Sequence, residues 1–192
     1  MLFQSAAATA AQTVLVFGDS LSAGFGLASG ESWPALLDQR LVAEKRPYRA
    51  ANASISGETT AGGRARLPAA LDRLQPAVVV IALGANDGLR GLPLAQMREN
   101  LTAMIRAAHE HHARVLLIGI RLPPNYGPDY TARFDETYRS VARQEKTSLL
   151  PFLLEPIALD VAAFQADGLH PVAAAQPRIL DHVWKALAPL LK

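Results

Sequence analysis

The sequence predicts a single doubly wound α/β domain of flavodoxin-like type, built on a five-stranded parallel sheet. Five short apolar runs alternate along the chain with segments of helical periodicity, the order that repeated strand–helix units produce. The strongest runs are continuously apolar rather than alternating, as strands covered on both faces are. Each run is followed by glycine and polar residues, and open parallel sheets bind ligands beyond the carboxyl ends of their strands.

The elements follow in order. Residues 13–17 (TVLVF) read as a short buried strand. Trp33–Ala43 reads as a helix, with Ser32 as N-cap and Pro34 in the first turn, where a missing N–H costs little. Residues 48–54 form a weaker strand. Helical character over 62–74 is interrupted by Pro68, which either kinks a helix or begins one. Residues 77–83 (AVVVIAL) are β-branched and bounded by Pro76 and Gly84, the clearest strand of the five.

Residues 94–112 set Leu94, Met97, Leu101, Ile105 and Ala108 on one helical stripe. Residues 114–120 (RVLLIGI) are the fourth strand. Residues 131–146 repeat the helical stripe with Phe134, Tyr138, Val141 and Ala142. Residues 148–153 are the fifth strand. A last helix is expected over 172–191, carrying Leu180, Val183, Trp184, Leu187 and Leu191, with Pro177 tolerated near its start. No linker, repeat or low-complexity stretch interrupts this series, so one domain is expected over 13–192. Residues 1–12 are rich in small residues and lack a basic start. They read either as the remnant of a signal peptide, with Ala8-Thr9-Ala10 as a cleavage-type triplet, or as an Ala-rich tail.

Composition narrows the function. Of 192 residues half are hydrophobic and 19% charged, which excludes a disordered chain. Lys and Arg number 19 against 17 Asp and Glu, with no basic cluster, so nucleic-acid binding has no electrostatic footprint. The absence of cysteine excludes disulfide scaffolds, thiolate metal sites and Cys nucleophiles together. No apolar run approaches the roughly 18 residues of a membrane helix, so stable membrane insertion is not expected.

The strand ends carry the chemistry. After the first strand comes Gly18-Asp19-Ser20. Ser20 at a strand-to-helix turn would expose its hydroxyl, a weak nucleophile until a neighbouring base takes its proton. His170 suits that role. His109, His111 and His112 crowd one helix end, and His182 lies inside the last helix. Asp167, three residues before His170, is placed to hold the imidazole tautomer. An oxyanion hole needs donors aimed at developing charge. The Ser20 N–H, the N–H of Gly57 after the second strand and the Asn86 side chain after the third are the choices. Asp19 is not the expected triad acid, and Ser22 is expected to be structural.

Each signal also has a plainer explanation. Ser20 and Gly57 suit ordinary turns, Asn86-Asp87-Gly88 is a common turn signature, and DGLHP could merely begin a helix. His109-Glu110-His111-His112 could be metal ligands or a solvated helix end; the helix end is preferred, and no metal is expected. What separates the readings is the coincidence of the signals at successive strand ends.

Together GDSL at Ser20, SGET with Gly57, GAND with Asn86 and DGLHP with Asp167 and His170 resemble the four blocks of the SGNH (GDSL) hydrolases, in order and spacing across nearly the whole domain. NASISGETT, LGANDGLRGL, RLPPNYGP and HPVAAAQP are similar to the thioesterase I/lysophospholipase/arylesterase branch of Gram-negative bacteria. The resemblance implies a three-layer αβα sandwich, a Ser20–His170–Asp167 triad and an oxyanion hole of Ser20, Gly57 and Asn86. It also implies no cofactor, a periplasmic or secreted setting, and a loop at 88–93 that moves over bound acyl chains.

The expected substrate is a small-molecule acyl ester or thioester, with an apolar acyl side supplied by Leu21, Leu89, Leu92, Leu122, Pro123 and Tyr126. Oligomeric state stays open. Ala85 departs from the glycine usual in this branch and would strain the Asn86 donor if its backbone required a positive φ. Two rivals remain at this point. One is a carbohydrate acetylesterase, which would be expected to show more exposed aromatics than a chain with 6% aromatic residues offers. The other is a non-catalytic flavodoxin-like module binding a nucleotide or flavin at a helix N-terminus.

Overall fold

A computed structural model describes residues 11–192. Its five strands are β1 (Gln12–Gly18), β2 (Tyr48–Asn52), β3 (Val78–Ala82), β4 (Arg114–Ile118) and β5 (Ser148–Leu150). All pairings are parallel, in the order β2-β1-β3-β4-β5. The chain therefore runs outward from β1 to β2, then returns across β1 to β3. That reversal makes the carboxyl end of β1 the switch point at which this architecture opens a crevice.

Seven α-helices cover the described sheet: α1 (Ser20–Ala23), α2 (Trp33–Ala43), α3 (Thr60–Leu74), α4 (Ala85–Leu89), α5 (Leu94–Glu110), α6 (Pro128–Gln144) and α7 (Gln176–Leu187). Helix α2 packs on α7 in one layer, while α3 packs on α5 and α5 on α6 in the other. The continuous apolarity of the central strands follows from this double cover: Val14 to Phe17 and Val78 to Ile81 are all fully buried. Each such side chain contributes about 1.5–3 kcal/mol of hydrophobic stabilisation.

Departures from the expected bounds have local causes. The tail expected over 1–12 lies outside the described residues as far as residue 10, and Gln12 already opens β1. β5 stops at Leu150 because Pro151 has no N–H to give the ladder; Leu153 N–H bonds back to Gly119 O instead. β2 stops at Asn52, whose side chain accepts from Ser54 N–H and turns the chain. Helix α3 keeps Pro68 in its interior, on an exposed turn where water can satisfy the orphaned carbonyl. Helix α6 begins three residues early, with Pro128 in its first turn. Helix α7 is shorter than expected, flanked by single 3₁₀ turns at Ala173–Ala175 and Ala188–Leu190.

Two start signals worked differently from the sequence reading. Ser32 occupies the N-cap position of α2 but makes no side-chain cap. The Trp33 N–H is satisfied instead by buried Gln176 Oε1 at 2.9 Å, which joins α2 to the start of α7. Ala85 is the first residue of α4 and takes no positive φ; the positive φ (121°) sits one residue earlier, at Gly84. The strain considered for Ala85 is therefore absent. A Cβ on Gly84 would collide with the Tyr138 hydroxyl and stand 2.6 Å from Met97 Cε.

In the histidine tract, His111 Nδ1 faces Ala107 O at 2.8 Å and Nε2 faces Asp72 Oδ1 at 3.0 Å. Two oxygen partners require two N–H groups, which favours the imidazolium and takes both nitrogens from metal ligation. The Asp72 bond, then the carbonyl, raises the His111 pKa above 6.5.

Three substitutions test this architecture. Because the folded His111 pKa lies above its unfolded value, its stabilisation is complete below about pH 6.5 and lost as pH rises through the raised pKa. His111→Ala should lower Tm relative to wild type at pH 5, with the gap closing by pH 9; a constant gap in thermal unfolding would exclude this charge-linked contact. Gly84→Ala should cost about 1–3 kcal/mol in urea unfolding. Ala85→Gly should relieve nothing and cost up to about 1 kcal/mol in helix propensity, so a stabilised Ala85→Gly variant would contradict the assignment.

Candidate active site

β1 ends at Gly18, a position where no side chain fits. A Cβ on Gly18 would stand 2.9 Å from the Ala82 carbonyl and 2.8 Å from Ser22 Oγ. The next residue, Asp19, caps α1 by accepting the Leu21 N–H at 3.1 Å. Ser20 is thus the first residue of a one-turn helix. Its N–H belongs to the opening turn, whose donors have no intrahelical partner.

A second loop brings His170 to Ser20. Asp167 Oδ1 accepts the backbone N–H groups of Leu169 (2.9 Å) and His170 (3.0 Å), with Gly168 at φ 67° allowing the tight turn. Its other oxygen lies 2.7 Å from His170 Nδ1, and His170 Nε2 lies 2.8 Å from Ser20 Oγ. With the proton on Nδ1 directed to the carboxylate, Nε2 presents its lone pair to the serine hydroxyl. The His170 backbone N–H, the imidazole bond and the Leu169 N–H pull the Asp167 pKa down to about 2. Asp167 is therefore ionised at neutral pH.

Asp19 meets opposite conditions. It is buried, and desolvation pushes its pKa up to about 6 against the pull of the Leu21 N–H and His170. Its carboxylate bonds Leu21 rather than the imidazole, so the two acids near Ser20 have separate tasks. Ser22 is fully buried beneath the turn.

Asn86 lies in α4, and its Nδ2 donates to Glu58 O at 2.9 Å. A carboxamide carries two such hydrogens, which leaves one for the cleft that Asn86 lines beside Ser20. Gly57 stands on the loop after β2 at φ 79°, exposed, with its carbonyl accepting from Arg90 Nη2 at 3.1 Å. It stands outside the apolar wall of the cleft, and its N–H makes no hydrogen bond among the described residues, which leaves that donor free.

The cleft beside Ser20 and His170 has a volume of about 430 Å³, within the range of small-molecule sites. Four of the expected apolar residues, Leu21, Leu89, Leu122 and Pro123, line it. Tyr126 does not; its hydroxyl donates to Leu89 O at 3.0 Å and tethers that loop from behind. Leu92 faces a separate surface hollow.

Much of the opposite wall comes from residues the sequence reading did not single out: Phe152, Leu154, Ala158 and Phe164, with Ile120 and Arg121 from the end of β4. The signal was the apolar stretch 152–164 between β5 and DGLHP. Phe25 is a further missed residue, its ring 4.4 Å from the His170 imidazole. Gln165 secures this contact by donating Nε2 to both Phe25 O (2.8 Å) and Pro171 O (3.1 Å).

The family model of the GDSL-like Lipase/Acylhydrolase family matches residues 16–176. Esterase TesA of Pseudomonas aeruginosa is 56% identical over 182 residues, covering 95% of this chain and 90% of that protein. Thioesterase 1/protease 1/lysophospholipase L1 of Escherichia coli K12 is 42% identical over 184 residues, 96% of this chain and 87% of that one. Among solved structures, the psychrotrophic esterase EstA from Pseudoalteromonas sp., inhibited by monoethylphosphonate, superposes with a TM-score of 0.90 at 40% identity. It covers 94% of this chain and 98% of EstA. With a hydroxyl, an imidazole and a carboxylate already in one hydrogen-bonded line, these matches leave one assignment: the chain belongs to the GDSL-like lipase/acylhydrolase family, the SGNH serine hydrolases.

Proposed function

We propose that this chain hydrolyses acyl esters and thioesters through an acyl-enzyme on Ser20. The observation that carries the reading is the line Ser20 Oγ–His170–Asp167, with contacts of 2.8 and 2.7 Å, opening on an apolar cleft. The names of the relatives, an esterase and a thioesterase/lysophospholipase, support the substrate class.

Ser20 Oγ attacks the acyl carbonyl while His170 Nε2 accepts its proton. Ionised Asp167 stabilises the imidazolium and holds its orientation. Charge developing on the carbonyl oxygen is met by the N–H groups of Ser20 and Gly57 and by Asn86 Nδ2, each such donor being worth about 3–4 kcal/mol in the transition state. His170 then returns the proton to the departing alcohol or thiol. Water, deprotonated by the same imidazole, releases the acid.

The apolar lining from Leu21, Leu89, Leu122, Pro123 and Phe152 fits an acyl chain better than a sugar or a flavin phosphate. The small-residue N-terminus and the family resemblance support a periplasmic or secreted setting. No helix of the described residues is long and apolar enough to cross a membrane.

Hydrolysis of p-nitrophenyl esters of increasing chain length tests the reading. In wild type, kcat/KM should rise by up to about fourfold per methylene while the chain still gains buried contact. Ser20→Ala should lose about 10⁴–10⁶-fold in kcat, and an organophosphonate should label Ser20. Full activity in Ser20→Ala, or labelling of Ser22 or Ser56 instead, would move the nucleophile elsewhere.

A further inference from the structure

Two of the three proposed oxyanion donors sit on loops that share no strand pairing. Gly57 follows β2 and Asn86 follows β3, and β1 lies between those strands in the sheet. Something other than the ladder must fix the separation of the two donors over the end of β1.

Asp87 follows Asn86 in α4 and is almost wholly buried. Both of its carboxylate oxygens are taken by one residue of the other loop. Thr60 N–H donates to Asp87 Oδ2 at 2.8 Å, and the Thr60 hydroxyl donates to Asp87 Oδ1 at 2.5 Å. Thr60 is fully buried, three residues beyond Gly57, and opens the fifteen-residue helix α3. Its N–H is one of the first-turn donors that a helix leaves unpaired, so a carboxylate there is favoured by both hydrogen bonding and the helix dipole.

Asn100 Nδ2 of α5 donates to the Thr60 hydroxyl oxygen at 3.2 Å, and Arg64 Nη1 donates to Asn100 Oδ1 at 3.3 Å. The Thr60 hydroxyl proton is thereby committed to Asp87 rather than free to rotate. Beside this bond, Asn86 Nδ2 donates to Glu58 O. Two consecutive residues of one loop thus grip residues 58 and 60 of the other.

We propose that Asp87 and Thr60 are positioning residues: their buried carboxylate–threonine clamp sets the distance between Gly57 N–H and Asn86 Nδ2, and so stabilises the oxyanion. This rests on the oxyanion role proposed above for Gly57 and Asn86. The clamp touches no substrate and acts through its two neighbours. Its effect therefore falls on kcat, because donors aimed at the oxyanion gain strength only as charge develops.

Steady-state kinetics on a short-chain p-nitrophenyl ester tests it, with circular dichroism confirming the fold of each variant. Thr60→Val removes the hydroxyl but keeps the N–H bond and the charge; it should lower kcat about 10–100-fold with KM within about twofold. Thr60→Ser should restore kcat to within about threefold of wild type by returning the hydroxyl. Asn86→Ala should cost about 10²–10³-fold, and adding Thr60→Val to it should cost at least threefold less than in wild type, since one of the donors it positions is gone. A folded Thr60→Val variant with wild-type kcat, a loss confined to KM, or an undiminished loss in the Asn86→Ala background would overturn the clamp. Ser20→Ala separates the two claims: if it is inactive while Thr60→Val is fully active, only the clamp fails.

Discussion

The carboxyl end of β1 is the constraint on which the site depends. β1 is covered on both faces and flanked on both sides, and its neighbours lead into loops that must meet above it. Gly18 lets the chain leave the strand against the Ala82 carbonyl, where a Cβ would stand only 2.9 Å away. Asp19 caps a helix at once, and Ser20 is held at its first residue. The placement of Ser20 is a consequence of sheet order. Its partners arrive on the same edge because every strand is parallel and every following loop emerges there.

The division of labour between the two aspartates follows from solvent. Asp167 lies on an exposed turn, where two backbone N–H groups and the imidazole stabilise its charge and hold its pKa near 2. Asp19 is stripped of water, which lifts its pKa to about 6. A carboxylate that supports an imidazolium keeps its charge over a wider pH range in the first environment, since protonation of the acid surrenders the interaction. Proximity in sequence to Ser20 counts for less than the donors each carboxylate can collect.

Wherever a single residue type carried a strong physical preference, the sequence was legible. The β-branched run before Gly84 had to be a buried strand, and Trp33–Ala43 emerged with its predicted bounds. At the site, Asp167 and His170 were readable because three residues of separation on a turn leave an acid little choice of partner. Legibility failed where a long-range contact decided the outcome. Ser32 looked like the cap of α2, yet the donor is taken by Gln176 from 143 residues away. Phe25 and Gln165 carried no local signal, because their value lies in a contact between the loop after α1 and the loop before His170. Likewise Phe152 of the cleft wall was read into the fifth strand, whose ladder ends before Pro151.

The departure at Ala85 shows how the same logic resolves a single position. A loop leaving β3 needs one residue with positive φ to turn into α4, and the sequence offers Gly84 and Ala85 in succession. Gly84 takes it, and the space beside it is filled by the Tyr138 ring and Met97, so that position admits no side chain. Once the turn is made there, Ala85 enters the helix, where its methyl costs nothing and joins the cleft wall beside Asn86. The Tyr138 hydroxyl then accounts for the carbonyl of Leu83, bonding it at 3.0 Å just before the turn. A glycine at position 85 would be an additional freedom rather than a requirement, because the backbone demand was met one residue earlier.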